Sequence, residues 1–563
     1  MKYFNKRFLY ILTALLFISI SGCKKYIEEN NLAGRTAETY YVTAAGFEDL
    51  VKSNYPNLRY IVNFSSLYSL GTDIFSSSGT TDANPLNIYN SSLNSATGDV
   101  DLYWKQLYYS IGVANTTLYW ATQVQGETAN TLNTRIAEAK TLRAYYYYLL
   151  AETFGDVPLV LTRSTEATLS YTRTPEQDVY TQIISDLTSA ITALPATTTD
   201  FGRITKGCAQ HLLAKIYLTR GYKTYGSGTT DFTQAATLAE SVINSGTYSL
   251  STTFASLFDP TVTNFQVNNE VIFSVQYSTS ATTNPVTYLG ATQYTGNTLH
   301  QYYLWDTQSI TPIGRSALYN KPNYVAAPDP YFFTLFDKTR DSRYSATVWN
   351  ALLAQTATTN FNGKSFSVGD TVIYYPSVAF TAAQKTAKKY YVINPDEYRN
   401  AFFTLTRSYP EFKKFREVNV TYGDYLGTRD TYVFRLAETY LIAAEAYLEA
   451  GNTAKALQYY NVIRKRAAIA GTNSSTGIAY STELTATSLT LDDILNERAR
   501  ELAGEEFRWF ELKRTGKLIT RVLTYNDEAK AANSLNTHNL LRPIPQSQID
   551  LNRGSTFAQN SGY

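Results

Sequence analysis

Among residue types that do chemistry, this chain carries many acids and arginines, three histidines and two cysteines. His211, His300 and His538 lie far apart, and no HExxH spacing occurs. Cys208 has no second cysteine near it, so no transition-metal site is indicated. No GxSxG nucleophile turn is present, although a nucleophile–histidine pair brought together by folding stays open. Carboxylates gather at Glu497, Glu501, Glu505, Glu506 and Glu511, interleaved with Arg498, Arg500, Arg508 and Arg514. A glycosidase needs two acids facing each other across a bond. These acids share one expected helix, with arginines three or four positions away, which is the spacing of ion pairs on and between helices. They are expected to be structural, and no catalytic residue is assigned.

A second chemistry is offered by Tyr302, Tyr303 and Trp305, beside His300, Gln301 and Asp306. An aromatic face accepts the C–H patch of a sugar ring, while amides and carboxylates meet its hydroxyls. Trp349 with Asn350 forms another such group, and Asp73, Asn84, Asn87 and Tyr89 a third. The ligand-binding residues expected from these groups are Tyr302, Tyr303, Trp305, Asp306, Asp73, Asn87, Tyr89 and Trp349. Trp104 sits at helical spacing with Leu107, Tyr108 and Ile111 and is expected in the core. Composition, with 48 Tyr, 27 Phe and a charged fraction of 17% in 563 residues, suits carbohydrate or peptide recognition, though most tyrosines are expected in helix–helix packing and on an uncharged surface. A formal net charge of +2 supplies no footprint for nucleic acid.

The elements that must position these groups are mostly helical. Apolar residues recur at i, i+3, i+4 and i+7 over 135–154, 175–194, 206–218, 232–244, 432–450, 453–468 and 492–513. Gly155 with Pro158, Pro195, Gly246 and Gly451-Asn452 punctuate them. Ala443, Ala444, Ala446, Tyr447, Gly451, Ala454, Ala456, Leu457 and Tyr460 follow a tetratricopeptide-like pattern, in which small residues let antiparallel helices approach closely. The segments 211–218 with 232–243, and 135–154 with 176–191, read as two more pairs, and such pairs stack. Thr-, Asn-, Gly- and aromatic-rich stretches, with alternating runs such as Val271–Val275, read as loops and short strands. The expected fold is mostly α, with tetratricopeptide-like helix pairs and long irregular insertions. One domain covers 41–563. Its repeat body falls at about 104–246 and 431–515, its insertions at about 65–103 and 247–430.

The first residues carry their own signal. Lys2, Lys6 and Arg7 precede an apolar run from Phe8 to Ile20, too short for the roughly 20 residues that span a bilayer. Ile20-Ser21-Gly22-Cys23 resembles a bacterial lipobox. That implies a signal peptide at 1–22, a covalent lipid on Cys23 and a polar tether at 23–40. Cys208 is then without an intrachain partner and is expected as a buried, inert thiol.

Four further segments carry a family resemblance. Glu138-Ala139-Lys140-Thr141-Leu142-Arg143-Ala144 runs into Tyr145–Tyr148 and then Phe154-Gly155-Asp156-Val157-Pro158-Leu159. Arg435-Leu436-Ala437-Glu438 precedes Leu441 and Ala444-Glu445-Ala446. Ile494-Leu495-Asn496-Glu497-Arg498-Ala499-Arg500-Glu501-Leu502 precedes Gly504-Glu505 and Arg508-Trp509, and Pro543-Ile544-Pro545-Gln546 precedes Asn552. In this order the set resembles the SusD/RagB nutrient-binding lipoproteins. The resemblance implies a lipid-anchored protein facing outward from a Bacteroidetes-type outer membrane and partnered by a SusC-type TonB-dependent β-barrel transporter. It implies an oligosaccharide ligand, no catalysis and no cofactor beyond the lipid. Peptide binding, a surface glycoside hydrolase and a periplasmic scaffold are the competing readings.

Overall fold

The computed structural model describes residues 35–563 apart from 63–65, 79–83, 263–265, 279–284, 289–290, 295, 317, 404–406, 419, 421–425 and 506. The expected signal peptide, Cys23, the tether as far as residue 34, and Glu506 lie outside the described residues.

The longer helices in chain order are α1 (Ala44–Lys52), α2 (Gly98–Trp120), α3 (Ala129–Phe154), α4 (Glu176–Ala193), α5 (Lys206–Gly221), α6 (Thr229–Ile243), α7 (Leu436–Glu449), α8 (Thr453–Ala467), α9 (Leu491–Leu502), α10 (Arg508–Arg514), α11 (Leu518–Tyr525) and α12 (Asp527–Ala532). The Thr128 hydroxyl caps α3 by accepting from the Thr131 N–H. The helix stops at Gly155, whose φ of +73° an L side chain rarely adopts. Every residue of α3 from Thr141 to Phe154 is buried, so its C-terminal half is enclosed on all sides.

The three expected helix pairs form as α3/α4, α5/α6 and α7/α8. Small residues set their spacing. Gly221, at the end of α5, lies so close to α6 that an added Cβ would fall 2.4 Å from the Phe232 ring. Helix α6 also packs on α7, although 244–435 intervene in sequence, so the array of pairs continues across the insertion.

The strands are β1 (Phe75–Ser77), β2 (Val271–Val275), β3 (Pro285–Tyr288), β4 (Ala291–Tyr294), β5 (Ala326–Pro328), β6 (Ala351–Leu353), β7 (Thr358–Phe361), β8 (Lys364–Phe366), β9 (Thr371–Tyr374), β10 (Tyr391–Val392) and β11 (Thr431–Arg435). They make small sheets: β1 antiparallel to β5, the order β10-β9-β6, β11 antiparallel to β2, and the hairpins β3–β4 and β7–β8.

Two expected helices change form. Residues 432–435 belong to β11, opposite Ser274, Phe273 and Val271, and α7 begins only at Leu436. The aromatic and β-branched run there finds a strand partner, which overrides helical periodicity. The expected helix at 492–513 breaks at Ala503–Gly504 into α9 and α10. Gly504 has φ +78°, and a Cβ there would meet Phe415 at 2.5 Å. The break turns α10 back toward the N-terminal insertion, so that Arg508 reaches Asp73.

The acids of α9 and α10 are indeed ion-paired, but in the interior. Glu497 meets Arg343 at 2.7 Å and Arg500 at 2.6 Å. Glu501 pairs with Arg343, Arg435 and Arg466, and Glu505 with Arg435 and Lys414. Nearby guanidinium charge holds Glu497 and Glu501 well below the usual carboxylate range even though burial pushes them up. Cys208 is buried and Trp104 is core, as expected.

Candidate functional site

The aromatic residues picked out in the 300–305 segment are inside the molecule. Tyr303 is 1% exposed and stacks on Phe412 with ring centroids 4.9 Å apart. Tyr302 is buried beside the Ser69 hydroxyl, and Trp305 is 2% exposed. The early group is buried too. Asp73 accepts from Arg508 at 2.9 and 2.7 Å and from Arg521 at 2.7 Å. Asn87 accepts from the Gly71 N–H and the Asn526 amide. Tyr89 lies under the Arg542 guanidinium, 5.5 Å from its ring centre. None of these six offers an open ring face for stacking or an accessible polar group for a sugar hydroxyl; burial in an aromatic core and around arginines is the reason. Asp306 and Trp349 stay partly exposed. Asp306 accepts from the Tyr324 phenol at 3.1 Å and the Ser309 hydroxyl at 2.7 Å. Trp349 has the Lys413 ammonium 4.8 Å from its ring centre.

An accessible aromatic surface lies elsewhere in the same insertion, at Phe361, Tyr391, Phe402 and Phe403. Phe361 ends β7, where Asn360, Asn362 and Gly363, all at positive φ, make the tight hairpin. Tyr391 opens β10 and donates to the Phe361 carbonyl at 2.7 Å. Phe403 stands 4.3 Å from Phe402, 4.9 Å from Tyr391 and 5.5 Å from Phe361, centroid to centroid. It is 46% exposed, and its φ of +52° is left-handed, a costly backbone for a bulky side chain. Trp305 forms the floor beneath, edge-on to Phe402 at 6.5 Å.

Ion pairs hold the loop that carries the two phenylalanines. Arg399, itself at φ +72°, donates to Asp329 at 3.0 Å and to the Ser77 carbonyl at 3.2 Å, and it pairs with Glu528 of α12. Arg407 donates to the same carbonyl at 2.8 Å and also pairs with Glu528. Asn87 donates to Glu528 as well. Burial raises the Asp329 carboxyl to about 7, against the pull of Arg399. One network therefore ties the early insertion, the late insertion and the C-terminal helices behind the shelf.

A separate cleft of about 340 Å³ lies between Trp104, Tyr108, Tyr171 and Phe557. Three of its polar groups are already engaged: Tyr108 donates to the Pro158 carbonyl, Asn115 to Val160, and Asn552 to Tyr171. The shelf is the better match for a ring-shaped polar ligand. Sequence inspection passed over it, although the adjacent pair Phe402-Phe403, in a polar stretch after Arg399-Asn400, was a usable signal.

The fold defines an α-helical repeat protein with short-strand insertions. A solved SusD homolog from Bacteroides thetaiotaomicron has the same fold, with a TM-score of 0.70, 20% identity, and coverage of 94% of this chain and 99% of that one. A laminarin-binding SusD-like protein superposes with a TM-score of 0.67 and 23% identity, over 92% of this chain and all of that one. The family model for the SusD family matches residues 261–563, just over half of the chain. A second, described as "Starch-binding associating with outer membrane", matches 41–218. This chain belongs to the SusD family. Among its relatives is SusD-like protein P2 of Formosa agariphila, 26% identical over 98% of both chains.

Proposed function

We propose that the chain is a cell-surface lipoprotein of the outer membrane, anchored by lipid on Cys23. It binds an oligosaccharide on the Phe361–Tyr391–Phe402–Phe403 shelf and passes it, uncleaved, to a SusC-type TonB-dependent transporter. The observation that carries the binding step is Phe403, a half-exposed aromatic ring held at a left-handed φ by an ion-paired loop. Backbone strain of this kind persists where the surroundings impose it, and it collects at ligand-contacting sites. Support for the ligand class comes from relatives named for starch and laminarin binding, and for the location from the family description that names the outer membrane.

The test is calorimetry with laminari- and malto-oligosaccharides on the wild type and on Phe403→Ala and Tyr391→Ala. Loss of a central stacking ring is expected to weaken binding by about 2 kcal/mol, roughly thirtyfold. Unchanged affinity in both variants would remove the shelf from the reading. New reducing ends after incubation would replace binding with hydrolysis.

A further inference from the structure

Arg343 and Arg435 each meet several carboxylates, yet two other cations meet none. Among the described residues, Lys413 and Arg416 have no ion pair and no side-chain hydrogen bond, and the Arg416 Nε is buried without an acceptor. Both side chains are partly exposed. They close one turn, in which the Arg416 N–H donates to the Lys413 carbonyl at 3.0 Å. Between them Phe415 is buried, and Lys414 points inward to the Ala503 carbonyl at 2.9 Å and Glu505 at 2.6 Å. Asn320 grips the next residue, donating to the Glu417 carbonyl and accepting from its N–H. On the other side the Trp349 N–H donates to the Glu411 carbonyl, and the Lys413 N–H to that of Thr347, both at 2.8 Å. The partly exposed indole of Trp349 carries the Lys413 ammonium over its ring and has Tyr319 edge-on at 5.6 Å. The two outward cations therefore hang on a fixed backbone beside an aromatic ring. Burial and then the Arg416 charge lower the Lys413 pKa, and burial lowers that of Arg416. Asp259 attracts both, but its Oδ1 already accepts from the Thr261 N–H and hydroxyl, and one acid against two cations leaves the patch positive.

We propose that Trp349, Lys413 and Arg416 form a second glycan subsite, which recognises an acidic sugar by its carboxylate or sulfate. Like charges held together, partly out of water and without acceptors, are unfavourable until an oxyanion joins them. The guanidinium fork matches either oxyanion with two parallel hydrogen bonds, and the ammonium adds a point charge beside it. The exposed part of the indole meets the C–H surface of the same sugar. Trp349 leads into β6, and Tyr391 of the shelf opens β10. These are the two outer strands of one three-stranded sheet, two strand spacings or about 10 Å apart. One sheet thus supports both surfaces. The inference rests on oligosaccharide capture as the function, and a neutral-sugar arm in the test separates the two.

Calorimetry at low salt on the full chain compares tetragalacturonate, a sulfated galactan tetrasaccharide and neutral laminarihexaose. The variants are Lys413→Gln and Arg416→Gln, with folding checked by thermal melting. At least one acidic probe is expected to bind the wild type, and at least about tenfold more weakly to each variant. Which probe binds tells a carboxylate from a sulfate. Laminarihexaose should bind the variants as it binds the wild type. Tryptophan emission should change when the acidic probe binds and stay constant in Trp349→Phe; a change that persists there places the ligand elsewhere. No binding of either acidic probe, or equal affinity in the wild type and both variants, overturns the subsite. Phosphatidylglycerol vesicles bound by the wild type and lost by both variants, with neither acidic probe bound, would replace it with a membrane contact. Acidic binding that both variants lose, with laminarihexaose unbound throughout, supports the subsite and rejects the shelf as a laminarin surface.

Discussion

Replacing Asp73 by Ala separates a structural role from a ligand-binding one. Its carboxylate is fully buried and accepts three hydrogen bonds from Arg508 and Arg521, at 2.9, 2.7 and 2.7 Å. Burial raises its pKa, and the two guanidinium groups more than reverse that, leaving it below the ordinary 3.8. Deleting one partner of a buried ion pair costs about 3–5 kcal/mol, because the surviving charge stays buried. Here Arg508 keeps the Leu495 carbonyl at 2.8 Å, and Arg521 keeps Asp492 at 2.7 Å and Asn496 at 2.6 Å. The expected cost therefore sits at the lower end, about 3 kcal/mol, a large part of a typical stability of about 5–15 kcal/mol. Because the folded value is depressed, this contribution is present above pH 3.8 and is lost as pH falls through the lower folded value. Urea denaturation followed by circular dichroism should show a lower midpoint for Asp73→Ala at neutral pH, with the gap closing in acid. Glycan affinity per folded molecule should be unchanged. Wild-type stability combined with lost binding would refute the structural assignment and return Asp73 to the ligand surface.

Phe403→Gly relieves a left-handed backbone worth about 1–2 kcal/mol and gives up ring contacts of similar size, so stability should stay within about 1 kcal/mol of wild type while binding falls about thirtyfold. Urea midpoints and calorimetry check the two halves. Gly504→Ala puts a methyl 2.5 Å from Phe415 and 3.1 Å from the Tyr303 hydroxyl, at φ +78°. It should destabilise by about 2–3 kcal/mol in the same urea assay, by overpacking and backbone strain together. Cys23→Ser should move the protein from the membrane to the soluble fraction in the native host, as read by fractionation and by mass spectrometry of the lipid.

The helices were legible in the sequence because their signals are local. Caps, apolar spacing and glycine stops lie within a few residues of one another, and the pairs α3/α4, α5/α6 and α7/α8 formed between the segments expected to pair, α7/α8 with its small-residue pattern. The inert burial of Cys208, the core position of Trp104 and the structural use of Glu497 and Glu501 follow from the same short-range logic. Composition, rich in Tyr and poor in charge, left open which rings pack between helices and which meet a ligand. Which aromatic rings face solvent was another matter. Tyr302-Tyr303-Trp305 and Phe402-Phe403 look alike as strings, yet one lines the core and the other the surface. That difference is set by contacts remote in sequence: β11 pairing with β2, the turn at Gly504, and Glu528 gripping Arg399 and Arg407. An irregular loop has no period to reveal its buried side, so only long-range packing and charge pairing could decide it.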